Sequence, residues 1–211
     1  MSPPNANCPN CGARVVFRWS SAVQTTCEYC RSVLVRHDVD LKRVGEVADL
    51  PADSSPIQLA TEGQYRGKPF VVVGRILYEY SLGTWNEWHI VFSGGSSGWL
   101  SDAQAEYAVS FLSEPPAPLE QAQQVYRGKE YAWFNGRFQV TSVTTARYRG
   151  TEGELPFESW DKQECVFADL RTADGRFATI DYTQSPPLLF IGEAVEFDSL
   201  QLKNLRQFEG W

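Results

Sequence analysis

Apolar residues in this chain come in short runs broken by polar or turn-forming residues, and helix-spaced patterns are scarce. Phe70-Val71-Val72-Val73, His89-Ile90-Val91-Phe92, Phe138-Gln139-Val140-Thr141 and Cys165-Val166-Phe167 read as strands. Asn135-Gly136, between Tyr131-Ala132-Trp133-Phe134 and Arg137-Phe138, predicts a two-residue hairpin turn. Nearer the start, residues 15–19 and 23–26 read as a hairpin bending at Ser20-Ser21, with Ser32-Val33-Leu34-Val35 as a third strand. Only Leu119 to Gln124 offers a helical turn or two.

Proline and small polar residues punctuate these runs and predict the domain plan. Residues 39–56 and 113–124 read as linkers, the second carrying Pro115, Pro116 and Pro118. They leave a small unit at 5–38 and two β units at 57–112 and 125–206. The two larger units look like copies. Gly67-Lys68-Pro69-Phe70-Val71-Val72 parallels Gly136-Arg137-Phe138-Gln139-Val140, and Gly98-Trp99-Leu100 parallels Gly175-Arg176-Phe177. Trp85 and Trp160 stand in matching places before Ile90-Val91-Phe92 and Cys165-Val166-Phe167. The predicted fold is mainly β: an N-terminal ribbon followed by two tandem, pseudo-repeated antiparallel units, barrel- or sandwich-like.

The small unit carries the chemistry that can be named. Cys8-Pro9-Asn10-Cys11 and Cys27-Glu28-Tyr29-Cys30 form two Cys-x2-Cys turns, the spacing of a four-thiolate zinc site. Each turn covers one edge of a tetrahedron. Gly12 follows the first turn, where a residue tolerant of positive φ lets N–H groups face the thiolates. The rival reading is two disulfides, which suits a secreted chain; Met1-Ser2-Pro3-Pro4-Asn5 lacks the basic and apolar regions of a signal peptide. Four cysteines leave no coordination position for water or substrate, so the expected single zinc ion is structural and supplies most of the unit's folding energy.

Composition and charge trim the choices of function. With 43% apolar and 21% charged residues, the chain has an ordinary folded composition and no run long enough to span a membrane. Together these predict a cytoplasmic protein. Residues 1–43 hold six Lys/Arg against three Asp/Glu, whereas the remainder holds thirteen against twenty-three. Four thiolates on a divalent ion add two negative charges, leaving the ribbon near neutral. That weakens a nucleic-acid reading, which needs a basic surface, and equally a docking onto anionic lipid.

Catalytic groups are sparse. The fifth cysteine, Cys165, falls in a strand beside Val166 and reads as a small buried side chain. His37 and His89 are the only histidines, and His89 is expected to face solvent or a cross-strand neighbour. Glu152 and Glu154 alternate along an extended run, where they either present carboxylates to a cationic ligand or partner, or are simply solvated. Of seven tryptophans, Trp85 and Trp160 are core candidates. Trp88, whose place in the other copy is taken by Gln163, is the interface candidate.

Taken together, Phe70-Val71-Val72-Val73-Gly74-Arg75-Ile76, the segment Gly83-Thr84-Trp85-Asn86-Glu87-Trp88-His89-Ile90-Val91-Phe92, Gly98-Trp99-Leu100 and Glu152-Gly153-Glu154-Leu155-Pro156-Phe157 resemble a bacterial family, domain of unknown function 4178. Members often carry a preceding zinc ribbon. Their genes often lie near those for membrane-stress and polyamine-related proteins, which implies an accessory role but no catalytic residues. Three function classes follow: a non-enzymatic adaptor docking a protein partner, a nucleic-acid-binding zinc ribbon, and an enzyme using carboxylates of the β region. The lack of a nucleophile–base pair, a phosphate-binding loop or an open metal site favours the adaptor.

Overall fold

The computed structural model describes residues 5–37, 40–46, 55–158 and 164–207. Trp160 and Gln163 lie outside them, as do residues 47–54 of the first expected linker and the side chain of His37. Strands dominate the described residues.

The N-terminal unit is built from β1 (Asn5–Asn7), β2 (Arg14–Val16), β3 (Gln24–Thr26), β4 (Ser32–His37) and β5 (Asp40–Glu46). The hairpin expected between residues 15–19 and 23–26 is not formed. β2 pairs with β1, and β3 pairs with β4, which pairs in turn with β5. The reason is local: each Cys-x2-Cys turn is itself the bend of a hairpin and draws its own flanking strands together. Cys8 N–H donates to Ala13 O and Gly12 N–H to Cys8 O, each at 2.8 Å. The second turn repeats the scheme, with Cys27 N–H to Ser32 O and Arg31 N–H to Cys27 O, each at 2.9 Å. Gly12 has φ +75°, as expected, and Arg31 takes the same left-handed position at +57°. Residues 40–46, read as linker from composition, form β5 instead, an outer strand completing a three-stranded sheet.

Ten strands follow in two meanders: β6 (Glu62–Tyr65), β7 (Lys68–Tyr80), β8 (Gly83–Phe92), β9 (Ser97–Ala103) and β10 (Glu106–Ser113), then β11 (Glu130–Trp133), β12 (Gly136–Gly153), β13 (Glu164–Arg171), β14 (Arg176–Asp181) and β15 (Leu188–Val195). All four predicted apolar runs lie within these strands. The expected hairpin joins β11 to β12, but Trp133 pairs with Gly136, so the turn residues are Phe134-Asn135 at φ +48° and +57°, one position earlier. In the 113–124 connection, Ala122–Gln124 makes a single 3-10 turn.

The meanders share one antiparallel sheet. β10 pairs with β15, and β7 pairs with β12, so eight strands close into a ring. Ring contacts identify the inner face. Trp85 on β8 meets Phe167 on β13 at 5.7 Å between ring centroids, although two strands separate them along the sheet. The inner face carries Ile76, Tyr78, Trp99, Ala146, Tyr148 and Phe167 as its apolar lining. The opposite face carries two further cores. Trp88, Ile90, Leu100 and Val109 pack under Ile57 and Leu200, while Phe138, Leu170, Ile180 and Leu189 pack with Val125 and Trp133. Trp88 is fully buried, stacked under the Arg75 guanidinium at 4.9 Å, so it is not an interface residue. Alternation explains this: on β8, Trp88 shares a face with Ile90 and pairs with Leu100.

Candidate functional site

The four cysteines converge. Their Sγ atoms all lie within 4.8 Å of one another, the only such cluster of His, Cys, Asp or Glu ligand atoms among the described residues. Cys8 and Cys30 are separated by 3.6 Å and Cys11 and Cys27 by 3.7 Å, Sγ to Sγ. A disulfide needs about 2.05 Å, whereas a tetrahedral ion with metal–sulfur bonds of about 2.3 Å sets its ligands about 3.8 Å apart. The donor set therefore fits a four-coordinate ion. Within the cluster the Asn10 side chain and then Ser32, whose Oγ lies 3.2 Å from the sulfur, pull the Cys30 thiol down, while at Cys11 a lowering hydrogen bond from Ala13 is opposed by the other three thiols, which help hold it up. Cys8 and Cys27 are buried with Phe17, Ala22 and Leu34, so the metal site and the unit's small core are one cluster.

The ribbon is locked to the barrel by the Glu152-to-Phe157 run. Glu154 is 3% exposed rather than solvated, and its two carboxylate oxygens accept Arg18 N–H at 2.6 Å and Trp19 N–H at 2.8 Å. Leu155 O accepts Val23 N–H, and Leu155 N–H donates to Gln24 O, both at 2.9 Å. Buried Gln24 adds a bond from Nε2 to Thr151 Oγ1. Glu154 has a raised pKa because it is buried, with the two N–H donors opposing. Glu152 meanwhile pairs with the buried Arg75 at 3.3 Å. Glu154 is thus enclosed in the joint, whereas Glu152 pairs with Arg75 and keeps over a third of its side chain exposed.

Two glycines make this close approach possible. A Cβ on Gly74 would lie 2.0 Å from Glu154 O, and one on Gly153, at φ +67°, would lie 2.2 Å from Val73 O. His89 closes the seam. Of the two expected environments it takes the cross-strand one: it is fully buried, ringed by its strand neighbour Trp99 at 5.1 Å and by Trp19 of the ribbon at 4.8 Å. Its Nδ1–H donates to Glu154 O at 2.9 Å, which fixes the tautomer, and burial drives its pKa down to about 4.

Inside the ring lies a group of acids that strand reading by apolar runs passes over. Glu87 and Asp181 line a cavity of about 50 Å³, with Tyr78, Trp99, Phe157 and Phe167 among its walls. Glu87 accepts from Trp85 Nε1–H at 3.1 Å and from Ser101 Oγ at 2.8 Å, and burial pushes its pKa up to about 8. Asp169 sits behind Thr179, which donates to it at 2.8 Å, and Asp181 accepts Thr183 N–H. Burial raises both of these as well. The signal was available: on β8, Glu87 alternates with Trp88 and so must share the face of Trp85 and His89. Cys165, half-buried, packs against this same inner lining.

A closed antiparallel barrel preceded by a small β unit whose four-cysteine cluster is compatible with metal binding is thus the class that fold and site define. None of its described helices is long and apolar enough to cross a membrane. The chain belongs to the family described as Domain of unknown function (DUF4178), whose model matches residues 58–197. The match covers the barrel and the strip that seats the ribbon, and leaves the four cysteines outside. No curated protein and no solved structure matches the chain.

Proposed function

We propose that this protein is a non-enzymatic adaptor, a zinc-stapled ribbon locked onto a β-barrel, which docks a protein partner along the seam between them. The observation that carries this reading is the groove at that seam, about 580 Å³, walled by Arg14, Arg18 and Arg31 from the ribbon and by Leu59, Val73 and Glu152 from the barrel. Neither unit makes this groove alone. Its walls mix both signs of charge with apolar surface, including Val16 at 46% exposure. That suits a protein segment better than a phosphate backbone, which favours a wholly basic surface.

Four thiolates in a closed tetrahedral set favour zinc over harder ions, and a closed shell assigns the ion a structural role. Thiols kept as ligands rather than disulfides agree with a cytoplasmic location, and the accessory role in a membrane-stress or polyamine-related system rests on the family resemblance alone. A photo-crosslinker placed at Val16 of the full chain in its native host tests the proposal. A discrete protein adduct, lost in Arg14→Glu with the metal retained, supports it. Adducts to nucleic acid, or a protein adduct indifferent to Arg14→Glu, overturn it.

A further inference from the structure

We infer that the barrel lumen is a binding site for a small organic cation, an alkylammonium head group held between Glu87 and Asp181 and the surrounding aromatic rings. Buried carboxylates are ordinarily paired with a cationic side chain. Here Glu87, Asp169 and Asp181 are half-buried, and among the described residues no Lys or Arg forms a direct ion pair with them, although the Arg171 charge acts on Asp169 from further off. Each is instead approached by donors: an indole N–H and a serine hydroxyl at Glu87, two hydroxyls at Asp169, and a backbone N–H at Asp181. The indole N–H can only donate, an arrangement that suits the charged carboxylate and leaves the compensating cation to come from outside.

The cavity is the second and independent observation. Its walls include Tyr78, Trp99, Phe157 and Phe167, aromatic side chains that suit an organic cation better than a hard metal ion. The carboxylates also fail to converge as metal ligands, since the cysteines form the only cluster within 4.8 Å among the described residues. One water needs roughly 10–15 Å³ of such space, so about 50 Å³ admits an ammonium with a short alkyl stem rather than a bulky ligand.

The site is coupled to protons. The titratable groups facing Glu87 are Asp169 and Asp181, with Tyr78 on β7 and, beside Tyr78, Tyr148 and Cys165. Burial raises the pKa of Glu87 to about 8, so near neutral pH an entering ammonium converts its carboxyl to carboxylate and one proton leaves to solvent.

Titration calorimetry on the full, metal-loaded chain tests this, using n-propylammonium chloride, the neutral isostere 1-butanol, and calcium chloride. The expected result is saturable one-to-one binding of propylammonium with proton release at pH 7, and no response to butanol. Glu87→Gln should weaken binding at least about tenfold, the loss of a charged partner, while the surface variant Glu106→Gln changes nothing. Asp181→Asn provides a second variant if Glu87→Gln does not fold. Silence toward propylammonium, binding of calcium in its place, or affinity unchanged in both lumen variants would overturn the inference and leave protons alone to neutralise the acids.

Discussion

Replacing Glu154 by alanine isolates the joint between ribbon and barrel. The substitution leaves the thiols and the strands untouched and removes the acceptor for Arg18 N–H and Trp19 N–H. Hydrogen bonds to a charged group contribute about 1.5–3 kcal/mol each. Against them stands the burial of the carboxylate, which raises its pKa and is relieved by alanine. The net loss should be about 2–4 kcal/mol, confined to docking. Hydrogen exchange reads it by location: amides of β3 and β4 should exchange on the order of 30–1000-fold faster, at about 1.4 kcal/mol per tenfold, while those of β9 and β14 hold. Glu154→Gln, which keeps one acceptor oxygen and turns an NH₂ toward the other N–H, should recover only part of the loss. An effect below about 0.5 kcal/mol, or one spread evenly through the barrel, would refute the reasoning.

Further outcomes follow from other residues. Glu87 keeps its proton to about pH 8 when folded but loses it near the ordinary Glu value when unfolded, so the folded state holds more protons between those limits and stability falls as pH rises through them. The ceiling on that loss is roughly 4–5 kcal/mol; denaturation at pH 5 and pH 8 should show it in wild type and a flatter profile in Glu87→Gln. Cys8→Ser or Cys27→Ser should abolish metal binding and unfold the ribbon while the barrel's near-ultraviolet signal persists, and loss of the whole fold would show the ribbon to be essential to it. Gly74→Ala drives a Cβ against the Glu154 carbonyl and should destabilise by more than about 2 kcal/mol in thermal or denaturant unfolding.

The strand content, the cysteine cluster and the family were legible because they rest on local signals: spacing, alternation and turn residues. What escaped depends on which distant segment covers a face. Trp88 and His89 are neighbours in sequence, yet one packs under Ile57 and Leu200 and the other under Trp19, and neither covering segment is announced by β8 itself. Glu154 looked solvated because its partners lie 135 and 136 residues earlier, on the backbone, where composition carries no trace of them. The acids of the lumen were readable in part. The Trp85-Asn86-Glu87-Trp88 run already sets Glu87 opposite Trp88, but only closure of the ring through β7 and β12 brings it to Asp169 and Asp181.

Metal removal followed by hydrogen exchange tests the central claim, that ion, ribbon and barrel strip form one joined unit. The full chain should carry one zinc ion by native mass spectrometry. Chelation should then release protection together at Arg18, Trp19, Val23 and Leu155, whose N–H groups form the seam, while β8 to β10 keep theirs. A chain that carries no metal, or one that loses its metal with those four amides still protected, would contradict it.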